Sequence, residues 1–238
     1  MSADRFEVSF RFHGGLADRG MLDGSDHATS TQAVRRLLAL HAHCFTTGKV
    51  PRASYSDGGG YHVLHVANRV GSHADIWAVA FDPRAQSIAA YLAGVYSSEI
   101  KGGLNAGARF LWDSIRSAVR KGPSHLPEFQ RIEPVLSGLS GNREPIVDVA
   151  AEQDVERGRL REATVRILCD AARPIGRSAD HLEISIDGEM VAEIDVATLR
   201  LLLNERQQYV DRQAALEQEI ARALTPIRRL PGRRSGLS

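Results

Sequence analysis

Histidine and aspartate gather early in the chain. His13, Asp18, Asp23, Asp26 and His27 lie close together, and His41, His43 and Cys44 follow. An imidazole near a carboxylate is the common set for general acid–base work. His13, Asp18, Asp23 and His41 are therefore the candidate catalytic residues of a hydrolytic site around Gly14-Gly15. A metal is harder to build from them. Helical spacing puts His41 and Cys44 on one face and turns His43 away, and two ligands fall short of the three or four that zinc takes. No metal and no cofactor is expected. The plain structural alternative assigns Asp18 to a turn, Asp23 or Asp26 to the positive end of a helix, and His41 to the core.

A second group suits anions. Arg173-Pro174-Ile175-Gly176-Arg177-Ser178 puts two guanidinium groups and a hydroxyl around one turn. Arg173, Arg177 and Ser178 are the candidate ligand-binding residues, for a phosphate or a carboxylate; solvated arginines at a helix stop are the structural alternative. Other motifs fail on context. Gly58-Gly59-Gly60 precedes a strand, whereas a dinucleotide loop opens a helix. Thr46-Thr47-Gly48-Lys49 lacks the first glycine of a Walker loop. Gly138-Leu139-Ser140-Gly141 has the wrong spacing for a hydrolase elbow.

These residues need elements to hold them. Arg5 to His13 alternates, with Phe6, Val8, Phe10 and Phe12 on one side, which predicts a strand. Gly14-Gly15 ends it, and Leu16 to Asp23 is expected to return as a short second strand. A capped helix follows, with Ala33, Val34, Leu37, Leu38, Leu40, His41, Cys44 and Phe45 recurring until Gly48 and Pro51 stop it. Ser54 to Gly60 reads as a loop. Tyr61 to Asn68 and Asp75 to Asp82 read as a hairpin across Gly71-Ser72. Arg84 to Ile100 and Leu104 to Lys121 read as helices. Residues 122–145, rich in Pro, Gly and Ser, read as a linker with a short helix around Glu128 to Leu136. A charged helix spans about Asp148 to Ala172. Asp187-Gly188 then joins two alternating runs, a strong hairpin signal. Asp195 caps a helix over Val196 to Leu203, and Glu205 to Leu224 is a polar helix with a thin stripe at Tyr209, Leu216, Ile220 and Ala223. No repeat and no sustained heptad stands out. The expected fold is α+β: an N-terminal domain over 1–121 with a small antiparallel sheet packed by helices, a linker over 122–145, a smaller helix–hairpin–helix unit over 146–224, and a basic disordered tail over 225–238.

The 238 residues are 43% hydrophobic and 25% charged, enough to bury a core. Lys plus Arg is 30 against 29 acids, a net charge of +1, which argues against a nucleic-acid binder. The exception is weak contact through Arg228, Arg229, Arg233 and Arg234 of the tail. Cys44 and Cys169 read as buried thiols in a reducing compartment. With no apolar leader, no membrane-length run and no Asn-x-Ser/Thr acceptor, the cytoplasm is the expected location, away from membranes.

One resemblance bears on organisation. The Gly14-Gly15-Leu16-Ala17-Asp18 turn, the Leu22-Asp23 strand ahead of a long helix, Gly71-Ser72 before the third strand, and the Arg-Pro-Ile-Gly-Arg-Ser run resemble an uncharacterised family of bacterial proteins over most of residues 5–200. That family carries no assigned function, so the resemblance implies organisation and not chemistry. With no complete catalytic set and near-zero charge, the sequence favours a non-enzymatic binding or sensor module. A protein partner or self-association is expected through Glu205–Leu224, and a hydrolase is the alternative.

Overall fold

The computed structural model describes residues 5–51, 60–69, 73–81, 106–120 and 149–224. They form an α+β fold. Strand β1 is Arg5–His13, helix α1 is Gly24–Thr47, and strands β2 and β3 are Tyr61–Arg69 and Ala74–Phe81. Helices α2 and α3 are Ala106–Val119 and Val149–Ala171. Strands β4 and β5, His181–Ile186 and Glu189–Asp195, precede helix α4, Val196–Leu224. The strands make one antiparallel sheet in the order β2-β3-β1-β4-β5.

The alternation of β1 decides which face is covered. Phe6, Val8, Phe10 and Phe12 are all buried. Residues directly opposite in an antiparallel ladder point the same way. Val8 is therefore in a row with Trp77 and Ile186, and Phe10 with Asp75 and Ile184. One row of the covered face thus holds a carboxylate beside Phe10, with Ile184 on the far side of that ring. Helix α1 packs on β2 and β3, and α3 packs against α1, α2 and α4. Phe45 of α1 stacks obliquely on Phe81 of β3 and Phe110 of α2, with ring centroids 5.3 and 5.9 Å apart.

Three expectations change. First, Leu16 to Asp23 is no strand. A single 3-10 turn spans Ala17–Arg19 and the chain then enters α1. Both edges of β1 are already occupied, by β3 and β4, so a returning strand has nothing to pair with. Second, the two helices expected at Val196 to Leu203 and Glu205 to Leu224 are one, because no glycine or proline interrupts them. Third, the stretches read as two successive units share one sheet and one core, which runs from Phe6 to Leu202. The expected linker over 122–145 with its short helix, the helix over Arg84 to Ile100, the Gly71-Ser72 turn, most of the Ser54 to Gly60 loop and the tail over 225–238 lie outside the described residues.

The Asp187-Gly188 hairpin is present, with φ of 49° and 85°. Its aspartate also ties back to the sheet. Asp187 accepts the Glu7 N–H through Oδ1 and donates its own N–H to the Glu7 carbonyl, both at 2.8 Å.

Gly107 sits where α2 presses on the sheet. A Cβ there would lie 2.7 Å from a ring carbon of Phe81 and 3.5 Å from one of Phe6. Glycine costs a helix about 1 kcal/mol relative to alanine, but overpacking a filled core costs roughly 1–3 kcal/mol. Gly107→Ala is expected to lower stability by about 1 kcal/mol or more in a urea titration; a gain would show that α2 can shift outward at little cost.

Candidate functional site

Two remote turns interlock beside the start of α1. Gly14 and Gly15 adopt φ of 78° and 57°, and Asp18 Oδ1 accepts the Gly14 N–H at 2.9 Å. Ala17 donates to the Ser178 carbonyl at 2.9 Å, and Asp180 donates to the His13 carbonyl at 2.8 Å. The second turn is wound on Pro174, whose carbonyl accepts from Arg177, Ser178 and Ala179. A Cβ on Gly14 would fall 2.0 Å from an Asp180 carboxylate oxygen, so only glycine fits. The Gly-Gly-Leu-Ala-Asp turn and the Arg-Pro-Ile-Gly-Arg-Ser run are the two halves of this joint.

Asp26, in the first turn of α1, faces the Pro174 turn and is 2% exposed. Arg173 Nε donates to it at 2.7 Å, and a single Arg177 nitrogen reaches both carboxylate oxygens at 3.1 Å. The anion between the arginines is therefore a residue of the protein. Ser178 contributes its backbone; its hydroxyl is buried without a hydrogen-bond partner.

The four acid–base candidates have separate positions. Asp18 closes the glycine turn. Asp23 caps α1, accepting from the Ser25 hydroxyl and from the N–H groups of Ser25 and Asp26. The Ser25 hydroxyl, then those amides, hold its carboxyl below the usual range. His13 stacks on His181 at 4.8 Å, with its Nε2 3.5 Å from Glu183. His41 lies eighteen residues beyond Asp23, about 27 Å along the helix at 1.5 Å per residue. It is buried, with Nδ1 2.7 Å from the Leu37 carbonyl and Nε2 3.3 Å from the Thr164 hydroxyl. His41 is a hydrogen-bonded core residue, separate from the glycine turn. Cys44 and Cys169 are buried thiols, and burial pushes Cys169 up to about 11 and Cys44 higher.

A different set converges nearby. Asp75, the carboxylate in the Phe10 row, is 5% exposed. The Thr31 hydroxyl donates to its Oδ2 at 3.0 Å. His27 Nε2 is 3.6 Å from Oδ2, and His65 Nε2 is 3.5 Å from Oδ1. His27 and Thr31 share a face of α1, being four apart. His65 comes from β2, where a bulge follows it. His73, at the entry to β3, stacks on His27 with centroids 5.3 Å apart. Burial first, and then repulsion from His27, lower the pKa of His73, while Asp75 opposes them. His65 stands edge-on to Trp77 at 4.8 Å. The Nδ1 of His73 and the indole nitrogen of Trp77 are buried without hydrogen-bond partners. Of this set, sequence reading flagged only His27. The signal for the rest is parity: Asp75, Trp77, Val79 and Phe81 alternate, so the acid falls on the inward side of a strand.

The two imidazoles approach different oxygens of Asp75, and the carboxylate stands between them. Among the described residues no group of three or more His, Cys, Asp or Glu side chains is arranged to hold a metal. What the cluster offers is proton exchange around a buried carboxylate. A groove of about 370 Å³ lies elsewhere, between the C-terminal end of α2 and the middles of α3 and α4. Its floor is a pair between Arg161 and Glu205, at 2.8 and 3.0 Å. No described helix is long and apolar enough to cross a membrane.

Comparison with family models, with curated proteins and with solved structures returned no match.

Burial holds the pKa of His41 down at about 4, against 6.5 for the free side chain. Between those values the unfolded chain binds a proton that the folded one refuses. Stability is fully present above pH 6.5 and falls as the pH drops towards 4, by up to about 3 kcal/mol from this residue. Urea titrations across that range should show the loss, and His41→Gln should flatten it.

Proposed function

We propose that the protein is a non-enzymatic binding or sensor module whose responsive element is the cluster of His27, His65, His73 and Asp75. The observation that carries this reading is the buried Asp75 carboxylate with an imidazole facing each of its oxygens. Imidazole is the side chain whose charge changes near neutral pH. At His73 the stacked His27 disfavours the charged ring and Asp75 favours it. A proton, or an anionic or cationic ligand, therefore alters the balance between α1, β2 and β3 at one point.

Trp77 is the natural reporter, since an imidazolium against an indole edge quenches its fluorescence. In a Trp112→Phe background, Trp77 emission is expected to change between pH 5 and 8, and Asp75→Asn or His65→Gln should abolish most of that change. A flat emission profile in the parent protein sinks the sensor reading.

The same cluster favours one second reading, an acid–base hydrolase using His27, His65 and Asp75. His27 and His65 are 30% and 42% exposed, so a substrate can reach them. Chromogenic carboxylic and phosphoric esters test it. A hydrolase should lose roughly a hundredfold or more in rate on His65→Ala; equal rates for both proteins, or none for either, remove this reading.

A further inference from the structure

Helix α4 has two halves with different surroundings. Leu199, Leu202, Arg206 and Tyr209 form one stripe at alternating spacings of three and four. This stripe packs on the body: Leu202 is 2% exposed, Leu199 and Tyr209 are partly buried, and Arg206 pairs with Asp170 at 3.1 Å. The same spacing continues through Gln213, Leu216 and Ile220. From Val210 to Arg222 every residue is exposed, with Leu216 at 57% and Ile220 at 48%. The packed half continues, towards the N-terminus of the helix, the stripe that the sequence marks at Tyr209, Leu216 and Ile220, and places 199, 206, 213 and 220 at a and 202, 209 and 216 at d.

We propose that a second copy of this chain covers the distal stripe, as a parallel two-stranded coiled coil over about 210–222. Three features select that occupant and direction. Ile at a with Leu at d, here Ile220 and Leu216, favours two strands over three or four. Gln213 at a meets its own counterpart only in a parallel pair, where the two amides hydrogen-bond and set the register. Charge is the third. Arg212 falls at g and Glu217 at the following e, so in a parallel pair each Arg212 faces the other chain's Glu217, twice by symmetry. An antiparallel pair with Leu216 against Ile220 would instead bring the two Glu217 carboxylates together. Both residues hold partners on their own helix and can turn across: Arg212 lies over the Tyr209 ring at 4.7 Å and donates through Nε to the Gln208 carbonyl at 3.3 Å, and Glu217 accepts from Gln213 at 3.1 Å. This interface is remote in sequence from the histidine cluster and stands or falls separately from it.

Sedimentation equilibrium of the full chain, over a wide concentration range, tests the dimer. The parent protein should dimerise with concentration. Leu216→Glu and Ile220→Glu should each weaken dimerisation roughly a hundredfold or more, because a carboxylate would enter an apolar layer. Both side chains are exposed in the single chain, so circular dichroism and the melting temperature should barely change. Gln213→Cys should cross-link to itself on mild oxidation, with Cys44 and Cys169 too buried to compete. Glu217→Arg should weaken the dimer, and adding Arg212→Glu should restore it. A monomer at every concentration overturns the proposal and assigns the stripe to another occupant, such as residues 225–238. A dimer that ignores Leu216→Glu, or one in which Gln213→Cys fails to cross-link, overturns it as well.

Discussion

Strand β1 is paired along both edges, by β3 on one side and β4 on the other, and most of the molecule follows from that. A central strand has no edge left for a hairpin return. The chain leaving His13 must therefore turn out of the sheet, and two left-handed glycines and the Asp18 carboxylate make that exit. The exit meets the turn that feeds β4, because β4 is the neighbouring strand. Hence Ser178 accepts from Ala17, Asp180 donates to His13, and α1 starts against both turns. The covered face of β1 then sets the rows on which α1 and α2 rest.

Two buried carboxylates flank the first turns of α1, and the protein treats them differently. Asp26 is held by Arg173 and Arg177. Guanidinium does not lose its proton in a protein, so the partners that hold Asp26 stay cationic. A buried acid costs several kcal/mol unless it is paired, so the clamp is what lets Asp26 be there at all. Asp75 has a hydroxyl and imidazoles instead, whose charge depends on the solution. The first carboxylate fastens the start of α1 to the Pro174 turn; the second leaves the neighbouring region open to adjustment.

Local patterns were legible where local chemistry decides the outcome. Phe6 to Phe12 gave β1, Gly48 gave the end of α1, and Asp187-Gly188 gave the last hairpin, each by backbone or parity rules acting over a few residues. The failures are non-local. Leu16 to Asp23 reads as a strand until β3 and β4 are known to occupy both edges. Arg173 and Arg177 read as an anion site, and they are one, but the anion is Asp26, which lies far away in sequence. His65, His73 and Asp75 form a group with His27 only through the β2–β3 register and the packing of α1. The stripe of α4 at Tyr209, Leu216 and Ile220 was legible, but the pairing of Arg206 with Asp170 of α3, which ties its near end to the body, was not.

The order in which the sheet is assembled has a consequence during synthesis. β1 is made first, yet its partner β4 comes after residue 180. At the usual pace of translation, roughly ten to thirty seconds separate the two. Through that interval Phe6, Val8, Phe10 and Phe12 have one of their two neighbours missing, and an unpaired apolar strand is a template for the wrong partner. β3 is made well before β4, so its pairing with β1 closes one edge of the central strand early and leaves only the β4 edge open through that interval.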